Sequence, residues 1–118
     1  MAKVLLIGFL TDLLHQRTAM LRSAGHEVAS AQNLDEALRT TQWGQYDVVV
    51  VGHGVPERLR RGLSNTVKRV NPATRVLMLC SSVLEKPGLA DAWMDTTASL
   101  DDLQRTVEGL ASTKARSS

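Results

Sequence analysis

Three short stretches of this chain, Val4-Leu5-Leu6-Ile7, Val48-Val49-Val50-Val51 and Val76-Leu77-Met78-Leu79, are apolar at every position. A strand with one face in water alternates apolar and polar side chains. A run with no alternation is covered on both faces, as in the middle of a parallel sheet packed between helices. The four valines have Asp47 in front and Gly52 behind. Their branched Cβ atoms favour extended backbone, and the run is too short for a helix. His26 to Ala29 is weaker and more polar and reads as an edge strand. A fifth short strand is expected near Ala92 to Met94.

Helical patterns fill the intervals. Thr11 can cap a helix carrying Leu14, Met20, Leu21 and Ala24, which Gly25 ends with a left-handed cap. Asn33-Leu34-Asp35-Glu36 resembles a capping box, and Ala37, Leu38 and Trp43 are expected to face inward from the helix it opens. Leu63, Val67 and Val70 recur at helical spacing before Asn71-Pro72. Ser99-Leu100-Asp101-Asp102 opens a last helix with Leu103, Val107 and Leu110 on one stripe. Strand alternating with helix predicts an α/β fold, a doubly wound parallel sheet with right-handed crossovers. The expected organisation is one domain over residues 1–111 and a flexible C-terminal tail over 112–118.

The 118 residues suit a single domain able to bury a core without disulfides or metals. A net charge of +2 is too small to imply nucleic acid. One cysteine, Cys80, excludes an internal disulfide framework and suits a reducing compartment. No apolar run approaches the roughly 20 residues of a membrane span. The apolar run after Met1-Ala2-Lys3 is too short for a signal-peptide core and no cleavage pattern follows it. A cytoplasmic location is therefore expected.

An ordered set of segments resembles the receiver domain of bacterial response regulators. Lys3-Val4-Leu5-Leu6-Ile7 is similar to that family's first strand. Ala24-Gly25-His26-Glu27-Val28 resembles its "AGYEV" join, and residues 31–38 resemble "ASNGEEAL". Tyr46-Asp47-Val48-Val49-Val50-Val51 resembles "YDLVLL", with Pro56 at the family's proline. Asn71-Pro72 through Leu79 is similar to the run into the fourth strand. Leu89-Ala90-Asp91-Ala92-Trp93-Met94 resembles "GADDYL", and Ser99-Leu100-Asp101-Asp102-Leu103 resembles "SLEEL". The resemblance implies a flavodoxin-like, five-stranded sheet of order 2-1-3-4-5. Between Cys80 and Asp91 the chain is shorter than the family pattern and contains Pro87-Gly88. The fourth helix is accordingly expected to be shortened or missing, reduced to a turn over residues 82–86.

The family's chemistry does not carry over with the resemblance. Its phosphorylated aspartate falls on Gly52, and its acidic pair after the first strand falls on Gly8 and Phe9. The Ser/Thr ending the fourth strand falls on Cys80, or on Ser81 with a one-residue slip. The Lys-Pro ending the fifth falls on Thr96-Thr97. An acyl phosphate needs a carboxylate nucleophile. Mg²⁺ needs hard oxygen ligands, usually carboxylates. Asp47 cannot substitute, because five residues of extended chain put it about 16 Å away. Asp12 and Asp95 do not rebuild a cluster of three acids.

The remaining candidates each have a plain alternative. His53 and Cys80 fall near strand ends, but zinc wants four ligands and only these two are found there. Arg58, Arg60 and Arg61 are expected in a loop after Pro56, as contacts for an anion or an acidic partner, or as a solvated face. Phe9 would plug the emptied pocket or lie exposed, and Trp93 would be core or part of a binding face. The expected function is that of a pseudo-receiver in phosphorelay signalling. It would act independently of phosphorylation as a protein–protein interaction module, toward another protein or a second copy of itself. The alternative is a small-ligand or anion-binding module at the same strand ends. No enzymatic activity, cofactor, Mg²⁺, nucleic acid or membrane association is expected.

Overall fold

A computed structural model describes residues 3–8, 11–32, 46–52, 55–70, 73–80, 91–95 and 99–117. The elements in chain order are β1 (Lys3–Ile7), α1 (Thr11–Ser23), β2 (Glu27–Ala31), β3 (Val48–Val51), α2 (Glu57–Val70), β4 (Arg75–Cys80), β5 (Ala92–Asp95) and α3 (Leu100–Ser117). The strands form one parallel sheet in the order β2-β1-β3-β4-β5. The three apolar runs occupy its three central positions, and the polar β2 lies at an edge, as the sequence predicts. The helix expected from Asn33 and the turn expected at residues 82–86 lie outside the described residues.

Side-chain alternation along the strands sorts the core into two layers. Leu5, Ile7, Val49, Val51, Val76 and Met78 pack on one face with Val55 and with Leu63 and Val67 of α2. Val4, Leu6, Val48, Val50, Leu77 and Leu79 pack on the other with Leu14 and Leu21 of α1 and Leu103 and Val107 of α3. All four valines of β3 are fully buried. Each contributes about 1.5–3 kcal/mol through apolar burial.

The helix ends follow local chemistry. Gly25 has φ 95°, its amide donates to Arg22 O at 3.0 Å, and the amide of His26 donates to Leu21 O at 3.2 Å. These are the paired bonds of a left-handed cap that glycine forms without steric cost. Ser99 Oγ accepts from the amide of Asp102 at 3.1 Å, capping α3. The backbone of α3 continues as helix to Ser117, past Ser112, where the sequence predicts the tail. One expectation is corrected. Arg58, Arg60 and Arg61 stand in the first turns of α2 rather than in a loop, because the helix begins at Glu57. Proline's fixed φ suits a helix start, and Pro56 O accepts from the amide of Arg60 at 2.9 Å.

Two aspartates, Asp47 and Asp91, are held at the amino ends of the strands. Asp47 Oδ2 accepts from the amide of Lys3 at 2.8 Å, so this aspartate ties β1 to β3 at the end opposite Gly52. Asp91 takes Lys68 Nζ at 2.6 Å, Arg75 Nη1 at 3.2 Å and the amide of Val76 at 2.7 Å. It thereby joins α2, β4 and the entry to β5. Burial works to raise the Asp91 carboxyl, but the hydrogen bond from Lys68, the Val76 amide, the Lys68 charge and the hydrogen bond from Arg75 outweigh it. The carboxyl is held below its usual range.

A depressed folded-state value stabilises the fold above the unfolded value of about 3.9 and is lost as pH falls through the folded value. Asp91→Asn is expected to lower stability at pH 7 by about 1 kcal/mol, the modest figure reflecting solvent screening. It should also flatten the acid limb of stability against pH below about pH 4. Urea melts of both proteins from pH 2 to 7 measure this. A parallel pair of acid limbs would contradict the assignment.

Candidate functional site

Ligands of doubly wound sheets bind beyond the carboxyl ends of the strands. Here those ends bring together Gly8, which follows β1, and Gly52, which follows β3. The amide of Gly52 donates to Ile7 O at 2.7 Å, and that of Gly8 donates to Ala31 O at 3.0 Å. By the alternation that puts Leu6 and Val50 under α1 and α3, both glycines belong to the α1 side of the sheet.

Two residues of α1 stand over them. A Cβ at Gly8 would rest 3.4 Å from Leu14 Cδ1. A Cβ at Gly52 would lie 3.1 Å from Ile7 O, 3.4 Å from Gly8 Cα and 3.8 Å from Arg17 Nη1. The first of these distances is tight, so β1 would have to yield by a few tenths of an ångström. The last puts a guanidinium within reach of any carboxylate that replaces Gly52. Arg17 follows Leu14 by three positions and precedes Leu21 by four, so it shares their inward stripe. Helical side chains lean toward the N-terminus, and α1 begins at this mouth. Burial lowers the Arg17 guanidinium from its ordinary pKa.

The other candidates disperse. Arg60 is buried and its Nη1 donates to Leu79 O at 3.3 Å, so it pins α2 to the end of β4 instead of facing solvent. Arg58 and Arg61 are exposed and line an open groove of about 560 Å³ with Gly62 and Asn65. Trp93, opposite Met78 on the edge strand β5, is 39% exposed, and Leu100 at the start of α3 is 41% exposed. The backbone of Cys80 pairs with Asp95 at the last rung of β4 and β5. Phe9, His53, Ser81, Thr96 and Thr97 lie outside the described residues, as does the Cys80 side chain. Among the described residues no three His, Cys, Asp or Glu side chains converge as a metal ligand set. None of the helices there is long and apolar enough to cross a membrane.

Sequence reasoning missed Arg17. The available signal was a cation on an otherwise apolar stripe, one helical turn from Leu14.

No protein-family model matches the sequence, and no curated protein matches it. Solved structures do. A receiver domain protein (CheY-like) from Methanospirillum hungatei covers 100% of this chain and 99% of its own at 16% identity, with a TM-score of 0.82. A receiver domain protein from Clostridium thermocellum covers 100% of both chains at 20% identity and 0.79. The response regulator TrrA of Thermotoga maritima, solved in complex with Mg²⁺-BeF, covers 93% of this chain and 99% of its own at 19% identity and 0.76. The chain therefore has the flavodoxin-like fold of response-regulator receiver domains.

The geometry predicts what an acid placed at position 52 would do. The carboxyl introduced by Gly52→Asp should pair with Arg17 and titrate about one unit below the usual carboxylate range. Combining it with Arg17→Gln should return the value to about 3.9. Carboxyl-carbon NMR titration reads both. Equal values in the two backgrounds would show that Arg17 does not reach position 52.

Proposed function

We propose that this chain is a receiver-like module of two-component signalling that works without phosphorylation, by presenting a surface to a protein partner. The observation that carries the reading is the mouth of the sheet. Glycines stand at two positions where the resemblance implies acids, and Leu14 and Arg17 lie against the places from which those side chains would grow. Neither glycine offers a carboxylate to attack a phosphoryl donor or oxygens to hold Mg²⁺. In place of negative oxygens the α1 side supplies a methyl group and a positive charge. On this reading the module catalyses nothing itself, needs no cofactor and works in the cytoplasm.

The exposed indole of Trp93 on the edge strand β5 supports a contact surface there. Trp93 presents a large, stiff side chain at little entropic cost, and tryptophan is enriched where interfaces are strongest. In a phosphorylated receiver, exposure of such a surface would respond to the state of the mouth. In this chain it would be constitutive.

Incubation with radiolabelled acetyl phosphate, with and without Mg²⁺, should leave the protein unlabelled. Label recovered on any aspartate would overturn the phosphorylation-independent reading. A partner captured from the native host by the wild-type chain should be weakened about thirtyfold by Trp93→Ala, the effect of losing roughly 2 kcal/mol at an interface hot spot. Unchanged capture by a folded Trp93→Ala protein would remove this face from the interface.

A further inference from the structure

The other arginines of known environment have partners or lie in open solvent. Arg75 shares Asp91 with Lys68, Arg105 pairs with Asp102, and Arg22 and Arg60 donate to the carbonyls of Val28 and Leu79. Arg17 differs. It is half-buried, stands beside Gly52 at the carboxyl end of β3, and makes no hydrogen bond or ion pair among the described residues. Asp12, the one acid of α1, is exposed and does not pair with it. A guanidinium that has lost part of its hydration and gained no acceptor is in an unfavourable position, and an incoming anion would relieve it. Its planar fork matches the paired oxygens of a carboxylate or a phosphate, and its charge is permanent at physiological pH.

We propose that Arg17, above the side-chain-free backbone of Gly52, forms a metal-free oxyanion subsite for a carboxylate or phosphate group. It stands where a carboxylate grown from position 52 would have reached, so the subsite takes from outside the group that the chain does not supply itself. The charge that binds the oxyanion belongs to the protein, so no divalent ion is required. This distinguishes the subsite from a phosphoryl site built on Mg²⁺ and acids. The proposal rests on the reading that no phosphoryl group forms at Gly52. The two fail separately, since labelling reports covalent transfer and titration reports reversible binding.

The test follows the amide signals of Gly8 and Gly52 and the Arg17 Nε–Hε signal in the full chain by NMR, in EDTA. Inorganic phosphate and N-acetyl-aspartate amide are titrated in separate arms, each against sodium chloride at equal ionic strength. Saturable shifts at these three signals with phosphate assign the subsite to a free anion. The same shifts with the aspartate derivative alone assign it to an acidic side chain of a partner. Arg17→Gln should weaken either by roughly tenfold or more, and Arg17→Lys by less, with the remaining amide signals unmoved as evidence of an intact fold. The double variant Arg58→Gln/Arg61→Gln should bind as the wild type does. No saturable shift in either arm, shifts matched by chloride, or binding that survives Arg17→Gln and disappears with Arg58→Gln/Arg61→Gln would each overturn the proposal.

Discussion

The amide of Gly52 donates to Ile7 O at 2.7 Å, and a side chain leaving Gly52 would begin only 3.1 Å from that oxygen. This close seam joins β1 and β3, two of the three central strands, where they reach the mouth. With no side chain at position 8 or 52, the N-terminal half of α1 brings Leu14 and Arg17 over the strand ends. An acid at either place would have to share its space with a methyl group or a guanidinium.

The described charges differ between the two ends of the sheet. At the amino ends, Asp47 and Asp91 are bound to backbone amides and cations, and they fasten β1 to β3 and β4 to the entry of β5. At the carboxyl ends, the described side chains over the seam are Leu14 and the cation Arg17. A magnesium-dependent receiver needs acids at the mouth to offset metal and phosphate charges. Here, among the described residues, positions 8 and 52 carry no side chain and the charged group beside Gly52 is the Arg17 guanidinium. Asp47 shows why a count of acids says little about chemistry: it stands just before β3, at the end opposite Gly52, where it ties β1 to β3.

The fold was legible because its causes are local. Strands apolar on both faces require cover on both faces, and Val48 to Val51 allowed no other reading. The polarity of the second strand placed it at an edge, Gly25 marked a left-handed cap, and Ser99 marked a helix start. The absence of a carboxylate at Gly52 was equally plain, since it needs only the alignment of one strand. The arginines were harder to read. Arg58, Arg60 and Arg61 look alike in the sequence, yet Arg60 is buried against Leu79 O and the other two line a groove. Their separation depends on where α2 begins and which of its faces meets the sheet.

The order of residues by itself determined the strands, the parallel sheet and the presence of glycine at positions 8 and 52, because hydrophobic period and side-chain identity act over a few neighbouring residues. Only the tertiary structure decided that Arg17 belongs to the mouth. A long side chain on α1 reaches Gly52, 35 residues further along the chain. That meeting is set by the crossover of α1 and the packing of Leu14 and Leu21 on the sheet, and no local pattern encodes it.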